Sequence, residues 1–256
     1  MVRFYHKLFC EWYAAHHLVT LVKNACDINE TLRFLDPFDL QYLFRFACGL
    51  DPDAGKKLIN HLKSLPGGDT FAILCILEQT GDVSEIMDSV KDLCSRDVKI
   101  KRGDSALLQR STTQLLEIAS KNDIPISCLH LDYSSIKFEG DTIILHSGIP
   151  LPKLPTLEKM HIAGSNAKDD DTETFTGILS HENQYRRHGD AQSANQETLT
   201  EMDILNLFRY GMKCRGIKEL MFGQLQLPAS VSPEAFTNIM KTQNICGKLK
   251  GMDSIN

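Results

Sequence analysis

The chain has 256 residues, of which 42% are hydrophobic, enough for one large domain or two smaller ones. Its net charge of −5, from 28 basic and 33 acidic side chains, is too small and too mixed to favour a nucleic acid or a membrane surface as a partner. No apolar run approaches the roughly 18 to 20 residues of a spanning helix, and the first residues lack the features of a secretory signal, so a cytoplasmic location is expected.

The first helix is predicted from an apolar stripe at helical spacing. No Ser, Thr, Asp or Asn precedes this periodic run as a cap, so we expect the chain to begin inside a larger protein. The stripe consists of Phe4, Leu8, Trp12, Ala15, Val19 and Val22.

Two Asp-Pro pairs predict the starts of further helices. Asp36 and Pro37 begin a helix that is expected to close at Gly49. Asp51 and Pro52 begin the next one, which the sequence PGGD ends. Its inward-facing residues are predicted to be Leu58, Ile59 and Leu62, and more helices follow at TFAILCILEQT and VSEIMDSVKDLCS. Residues 1–95 are therefore predicted to be a helical subdomain.

After residue 95 the hydrophobic period changes to that of strands and helices in alternation. Val98 and Ile100 alternate with polar residues, SALLQRSTTQLLEIASK is helical, and Leu129 and Leu131 mark a second strand. Leu129 follows Val98 by 31 residues (129 − 98), and Met160 follows Leu129 by 31 (160 − 129). Leu220 then follows Met160 by 60 (220 − 160), close to twice that spacing. This is an internal repeat.

The repeat fits the leucine-rich pattern L-x-x-L-x-L-x-x-N/C-x-L, in which each unit is a strand plus a helix that stacks on its neighbours. The predicted fold is an α-helical part followed by an α/β leucine-rich-repeat solenoid with short parallel strands. Residues 96–256 form the degenerate repeats, and a polar insertion lies near residues 164–198. The matching apolar positions are Ile126, Leu129, Leu131 and Ile136, then Leu157, Met160, Ile162 and Ala167, then Ile217, Leu220, Phe222 and Leu227.

No metal site is predicted from the eight scattered cysteines. The tightest grouping of zinc-type ligands is Cys10, His16, His17 and Cys26. It lacks a C-x-x-C pair, and its adjacent histidines point in different directions on a helix. A disulfide framework is not expected either, because most of the cysteines lie among apolar neighbours.

The segment FYHKLFCEWYAA resembles a motif at the end of the winged-helix subdomain of NACHT and leucine-rich-repeat receptors, the NLR family of innate immune sensors. That motif reads F-x-H-x-x-F-Q-E-F-x-A-A, with Cys10 here in place of the glutamine and Trp12 in place of the phenylalanine. YLFRFACGL followed by a Pro-started helix is similar to the second helical subdomain of the family. The matching residues are Phe4, His6, Phe9, Glu11, Ala14 and Ala15.

The resemblance implies a role for His6 in the intact parent protein. In the family this histidine reaches the β-phosphate of bound ADP and helps to hold the receptor closed. The alternative is a helix histidine that is satisfied by its neighbours. The sequence contains no G-x-x-x-x-G-K-[ST], so no cofactor is expected for this chain alone, and ADP or ATP is implied only for a parent with an upstream NACHT module.

No nucleophile with a base, carboxylate pair or metal motif at usable spacing is found, so the chain is not expected to be an enzyme. The first hypothesis is a regulatory and partner-recognition fragment of an NLR-type sensor. The alternative is a stand-alone leucine-rich-repeat scaffold or inhibitor without a nucleotide switch. Because strand side chains alternate, a protein or microbial ligand is expected to contact the concave repeat surface. The candidate contact residues are His130, Asp132, His161 and Met221, and the alternative is that these side chains are only solvated.

Overall fold

A computed structural model describes residues 7–79, 83–164, 197–223, 225–226, 228–232 and 246–250. Contacts divide them into two compact units, one up to Val90 and the other from Lys91 onward. The first is helical and the second contains a mostly parallel sheet with helices. The predicted order of a helical part followed by an α/β part with parallel strands is confirmed.

The first unit is a stack of helices around an apolar core. Helix α1 packs on α3 and α4, and α5 packs on α3 and α4. Phe44 of α3 and Phe71 of α5 are fully buried, with ring centroids 6.2 Å apart. The helices are α1 (Lys7–Asn24), α2 (Ile28–Leu32), α3 (Gln41–Leu50), α4 (Pro52–Ser64) and α5 (Gly68–Ile76), and α6 (Val83–Ser95) runs across the division between the units.

Of the two predicted helix starts, one is confirmed and one is wrong. Asp51 caps α4 by accepting a hydrogen bond from the Ala54 amide at 2.9 Å, with Pro52 at the first helical position. Asp36 accepts from the Phe38 amide at 2.8 Å, but this bond closes a turn, and α3 begins only at Gln41. An Asp-Pro pair can therefore begin either a helix or a turn, because both use the same short-range hydrogen bond.

The predicted apolar stripe of α1 is only partly right. Ala15 and Val22 are buried, whereas Leu8 and Trp12 are 37% and 40% exposed. Phe4 lies outside the described residues. The buried side consists of Glu11, Ala15, Leu18 and Val22, a stripe rotated by part of a turn from the predicted one. Helix α1 carries apolar residues on several sides, so periodicity alone could not choose between them.

The second unit is built on a parallel sheet. Its strands are β1 (Asp97–Ile100), β2 (Ile126–Asp132), β5 (Leu157–Ala163), β7 (Glu219–Gly223) and β9 (Cys246–Lys250). They lie side by side in that order, and each neighbouring pair is parallel.

The register predicted from the 31-residue spacing is confirmed. Val98 pairs with Leu129, Leu129 with Met160, and Met160 with Leu220. All four side chains are buried, and so are the residues two positions later on each strand, which are Ile100, Leu131, Ile162 and Phe222. The repeated apolar residues therefore form one continuous side of the sheet.

The connections between the strands follow the prediction in one case and depart from it in another. Helix α7 (Ala106–Lys121) joins β1 to β2 as predicted. The link from β2 to β5 contains a 3-10 turn (Tyr133–Ser135) and an antiparallel hairpin instead of a helix. The hairpin strands are β3 (Ile136–Glu139) and β4 (Thr142–Leu145). Gly140, with φ of 60°, adopts the left-handed conformation that their tight turn requires.

Most of the predicted insertion at residues 164–198 lies outside the described residues. The chain is described again at β6 (Glu197–Thr198), which pairs in parallel with β8 (Leu225–Gln226). Helix α8 (Glu201–Lys213) follows β6 and contacts the hairpin strands β3 and β4. In the part of the chain that the structure describes, none of the helices has the length and apolar character needed to cross a membrane.

Candidate functional site

The candidate site is the side of the parallel sheet opposite the buried apolar residues, which we call the polar face. Side chains alternate along each strand, so the residues between the buried positions share this side. The register aligns them into rows that run across the strands. One row contains Asp97, Cys128, Lys159 and Glu219, the next contains Lys99, His130, His161 and Met221, and the last contains Asp132, Ala163 and Gly223.

Two histidines from neighbouring repeats meet at the centre of the polar face. Nδ1 of His130 lies 3.0 Å from Nδ1 of His161, and the rings meet edge to face with centroids 4.9 Å apart. One of these nitrogens must donate and the other accept, so the two tautomers are linked. Both histidines are half-buried, and Met221 pairs with His161 in the register of the next strand.

Beside this pair, the other ring nitrogen of His130 faces an acidic and a thiol side chain. His130 Nε2 lies 3.1 Å from Oδ2 of Asp97 and 3.3 Å from Sγ of Cys128. Asp97 belongs to β1, whereas Cys128 and His130 are separated by one residue on β2. The parallel pairing of Asp97 with Cys128 thus brings the three groups together from two strands.

The thiol of Cys128 is held in its protonated form. Burial and the negative charge of Asp97 raise its pKa to about 11, and the positive charge of Lys159 offsets part of this rise. Lys159 itself lies 3.7 Å from a carboxylate oxygen of Glu219 on the following strand. Cys128 is therefore a poor nucleophile at neutral pH unless a stronger positive charge binds beside it.

The carboxylate of Asp132 is occupied by hydrogen bonds within the chain. Its Oδ1 accepts from the amide and the hydroxyl of Ser134, at 3.0 and 2.7 Å, and so caps the 3-10 turn. Its Oδ2 accepts from the Arg102 amide at 3.3 Å. These bonds give Asp132 a structural function at the end of β2, and they compete with any partner for its oxygens.

A second acidic side chain, Asp104, lies in the turn that follows β1. It accepts a hydrogen bond from the Lys101 amide at 2.8 Å. Burial raises its pKa to about 6, that hydrogen bond opposes the rise, and the nearby charge of Asp132 adds to it. Burial thus keeps the carboxyl group of Asp104 protonated to a higher pH than an ordinary aspartate.

A glycine gives His161 the room that it occupies. A Cβ atom added at Gly223 would lie 2.9 Å from Nε2 of His161 and 3.6 Å from Cβ of Ala163. Gly223 and Ala163 pair with each other in the register. The third row of the polar face thus contains only small side chains on these two strands, Ala163 and Gly223.

The structure brings together the four residues predicted to contact a partner, all on the polar face. His130 and His161 touch, Met221 extends their row, and Asp132 lies at the end of β2. His6 lies outside the described residues. The zinc-type grouping of Cys10, His16, His17 and Cys26 does not converge on one point.

Sequence reasoning missed Asp97 and Cys128, although both follow from the same register. Each lies one position before a predicted buried residue, Val98 or Leu129, and so shares the side of its strand that carries His130. Extending the alternation by one row would have placed them beside the histidine. The apolar character of cysteine hides this, because a thiol among apolar neighbours behaves as a small hydrophobe.

The sequence contains no G-x-x-x-x-G-K-[ST] to surround a phosphate with backbone amides, and the described residues do not include His6.

Comparison with protein-family models and with curated proteins finds no match for this sequence. The family resemblance therefore depends on residues of the chain itself, above all the motif around His6.

Proposed function

We propose that this chain is a non-catalytic regulatory and partner-recognition part of an NLR-type cytosolic immune sensor. In this proposal the second unit is a segment of a leucine-rich-repeat solenoid, and its polar face is the concave surface that binds a protein or microbial ligand. The helical unit then links the repeats to an upstream nucleotide-binding module, within which His6 would contact ADP.

One observation carries the proposal, namely that strands spaced by a repeat length pair in parallel without a shift in register. Val98, Leu129, Met160 and Leu220 occupy equivalent positions on four neighbouring strands. Stacking of this kind is what repeat proteins use to bury apolar faces that no single unit can bury alone. The hairpin in place of the second helix makes this a degenerate repeat in the proposal.

The composition of the polar face supports recognition of a protein rather than of a nucleic acid. It combines histidine, methionine and an ion pair between Lys159 and Glu219, with acidic Asp97 at its edge. A nucleic-acid surface would need a uniform positive potential, which this mixture of charges does not supply. Imidazole and thioether groups can instead contact both polar and apolar side chains of a partner.

The test is the composition of the endogenous polypeptide that contains this chain. An antibody against residues 52–64 captures it from cells, and mass spectrometry then identifies the peptides that precede Met1. We expect a peptide with a phosphate-binding G-x-x-x-x-G-K-[ST] upstream of FYHKLFCEWYAA. A polypeptide without that motif contradicts the proposal and supports the stand-alone repeat scaffold.

A further inference from the structure

Three side chains converge at the edge of the polar face where β1 and β2 pair. Asp97, Cys128 and His130 each offer one metal-binding atom, and these atoms all lie within 4.8 Å of one another. Within the described ranges, no other group of His, Cys, Asp and Glu has this spacing. We infer that Asp97, Cys128 and His130 form a binding site for a divalent transition metal of the zinc class.

The separations are close to those between the ligands of a tetrahedral zinc ion. Bonds of about 2.3 Å to sulfur and about 2.0–2.2 Å to nitrogen or oxygen place neighbouring ligand atoms roughly 3.5 Å apart. His130 Nε2 lies 3.3 Å from Sγ of Cys128 and 3.1 Å from Oδ2 of Asp97. Small side-chain rotations admit the ion, and the paired strands keep the backbone in place.

His161 holds His130 in the orientation that a metal ligand needs. With Nε2 of His130 bound to a metal, its Nδ1 carries the proton and donates to Nδ1 of His161, 3.0 Å away. A metal-bound histidine almost always donates its second ring N–H to a neighbouring acceptor in this way. His161 is thus a positioning residue, and Gly223 provides the space for its ring.

The donor types select the class of metal. A thiolate and an imidazole are softer ligands than Mg²⁺ or Ca²⁺ prefers, whereas zinc accepts both together with a carboxylate. The side chains of Asp97 and His130 are 54% and 28% exposed, so the ion can enter from solvent. Three protein ligands leave a fourth position for water or for a side chain of a bound partner.

Binding is coupled to loss of a proton from Cys128. The metal replaces the thiol proton, which passes to solvent as the metal–sulfur bond forms. A cysteine thiol ordinarily has a pKa of about 8.5, so the proton is present at neutral pH before the metal arrives. Each metal ion should therefore release about one proton, a stoichiometry that a hydrogen-bonded Asp–His pair alone would not produce.

The inference is tested by titrating the full chain with Co²⁺, a coloured substitute for zinc, under reducing conditions. We expect a single site with the visible bands of tetrahedral cobalt and a thiolate-to-cobalt charge-transfer band in the near ultraviolet. Cys128→Ser should abolish the charge-transfer band. Cys26→Ser, at an exposed cysteine of the first unit, is the matched control and should leave the spectrum unchanged.

Two further variants keep the test decisive if Cys128→Ser disturbs the sheet. Asp97→Asn, at the exposed edge, should weaken zinc binding at least tenfold in competition with a chromophoric chelator. His161→Gln should weaken binding about tenfold to a hundredfold with the charge-transfer band retained. Calorimetry in two buffers of different ionisation enthalpy should give about one released proton per zinc. A charge-transfer band that persists in Cys128→Ser, or a zinc affinity unchanged in Asp97→Asn, overturns the inference.

Discussion

Replacement of Leu129 by alanine tests the register of the parallel sheet. Leu129 is 0% exposed at the centre of the sheet, between Val98 and Met160. Truncation of a fully buried leucine costs about 2–5 kcal/mol, from lost transfer free energy and from the cavity that remains. The site is enclosed on both sides by other buried strands, so its walls have little freedom to collapse. We therefore expect a loss of about 3 kcal/mol.

Native-state hydrogen exchange measures this loss within the second unit. Tryptophan fluorescence would not serve, because Trp12, the one tryptophan of the chain, lies in α1 and so reports on the first unit. A loss of about 3 kcal/mol should accelerate exchange of the slowest β2 amides by about two orders of magnitude. The control is Lys159→Ala on the polar face of β5, which should change exchange by less than about threefold. Similar effects of the two variants would refute the register.

Asp104→Asn should raise the free energy of unfolding at pH 7 by on the order of 2 kcal/mol and leave it unchanged at pH 4. Folding raises the pKa of Asp104 from 3.8 to about 6, so stability that is present below pH 4 is lost as the pH rises to 6. Urea titrations at the two pH values that show no such difference contradict the burial argument. Asp51→Ala should destabilise the helical unit by about 1 kcal/mol through loss of the α4 cap. Asp53→Ala, two residues later in the first turn of the same helix, should change the stability by less than about 0.5 kcal/mol in thermal unfolding followed by circular dichroism. Asp132→Ala should cost about 1–2 kcal/mol in the same measurement, because three hydrogen bonds end on its carboxylate, and a neutral effect would show that they are not formed in solution. The isolated chain should give no heat of binding with ATP at micromolar concentrations, since it lacks a phosphate loop, and micromolar affinity would contradict that expectation.

The strands of the second unit could be predicted because their periodicity and repeat spacing act together. Alternation places Leu129 and Leu131 on one side, and the 31-residue spacing fixes which residues on the next strand they meet. Helix α1 offered no such second constraint, so its buried side was predicted only in part: Ala15 and Val22 are buried, whereas Leu8 and Trp12 are exposed. The hairpin after β2 was missed because its strands have only four residues each, too few for a clear period.

Which residues lie on the polar face was easier to predict than which of them contact one another. Alternation identifies which side His130 occupies, but side-chain rotation decides that its ring meets both His161 and Cys128. Asp132 illustrates the same limit. Its position suggested an open recognition residue, whereas hydrogen bonds to the following turn occupy its carboxylate. Local capping bonds of this kind depend on the backbone beyond the strand, where no repeat constrains the sequence.

Binding of a protein partner to the polar face, which remains a proposal, is tested by site-specific photocrosslinking in cells. A photoreactive amino acid at Met221 reports on the polar face, and the same group at Arg110 reports on the exposed side of α7. We expect one discrete crosslinked species from position 221 that disappears in the His161→Ala background, and no such species from position 110. Equal crosslinking from both positions, or a species unaffected by His161→Ala, would contradict it.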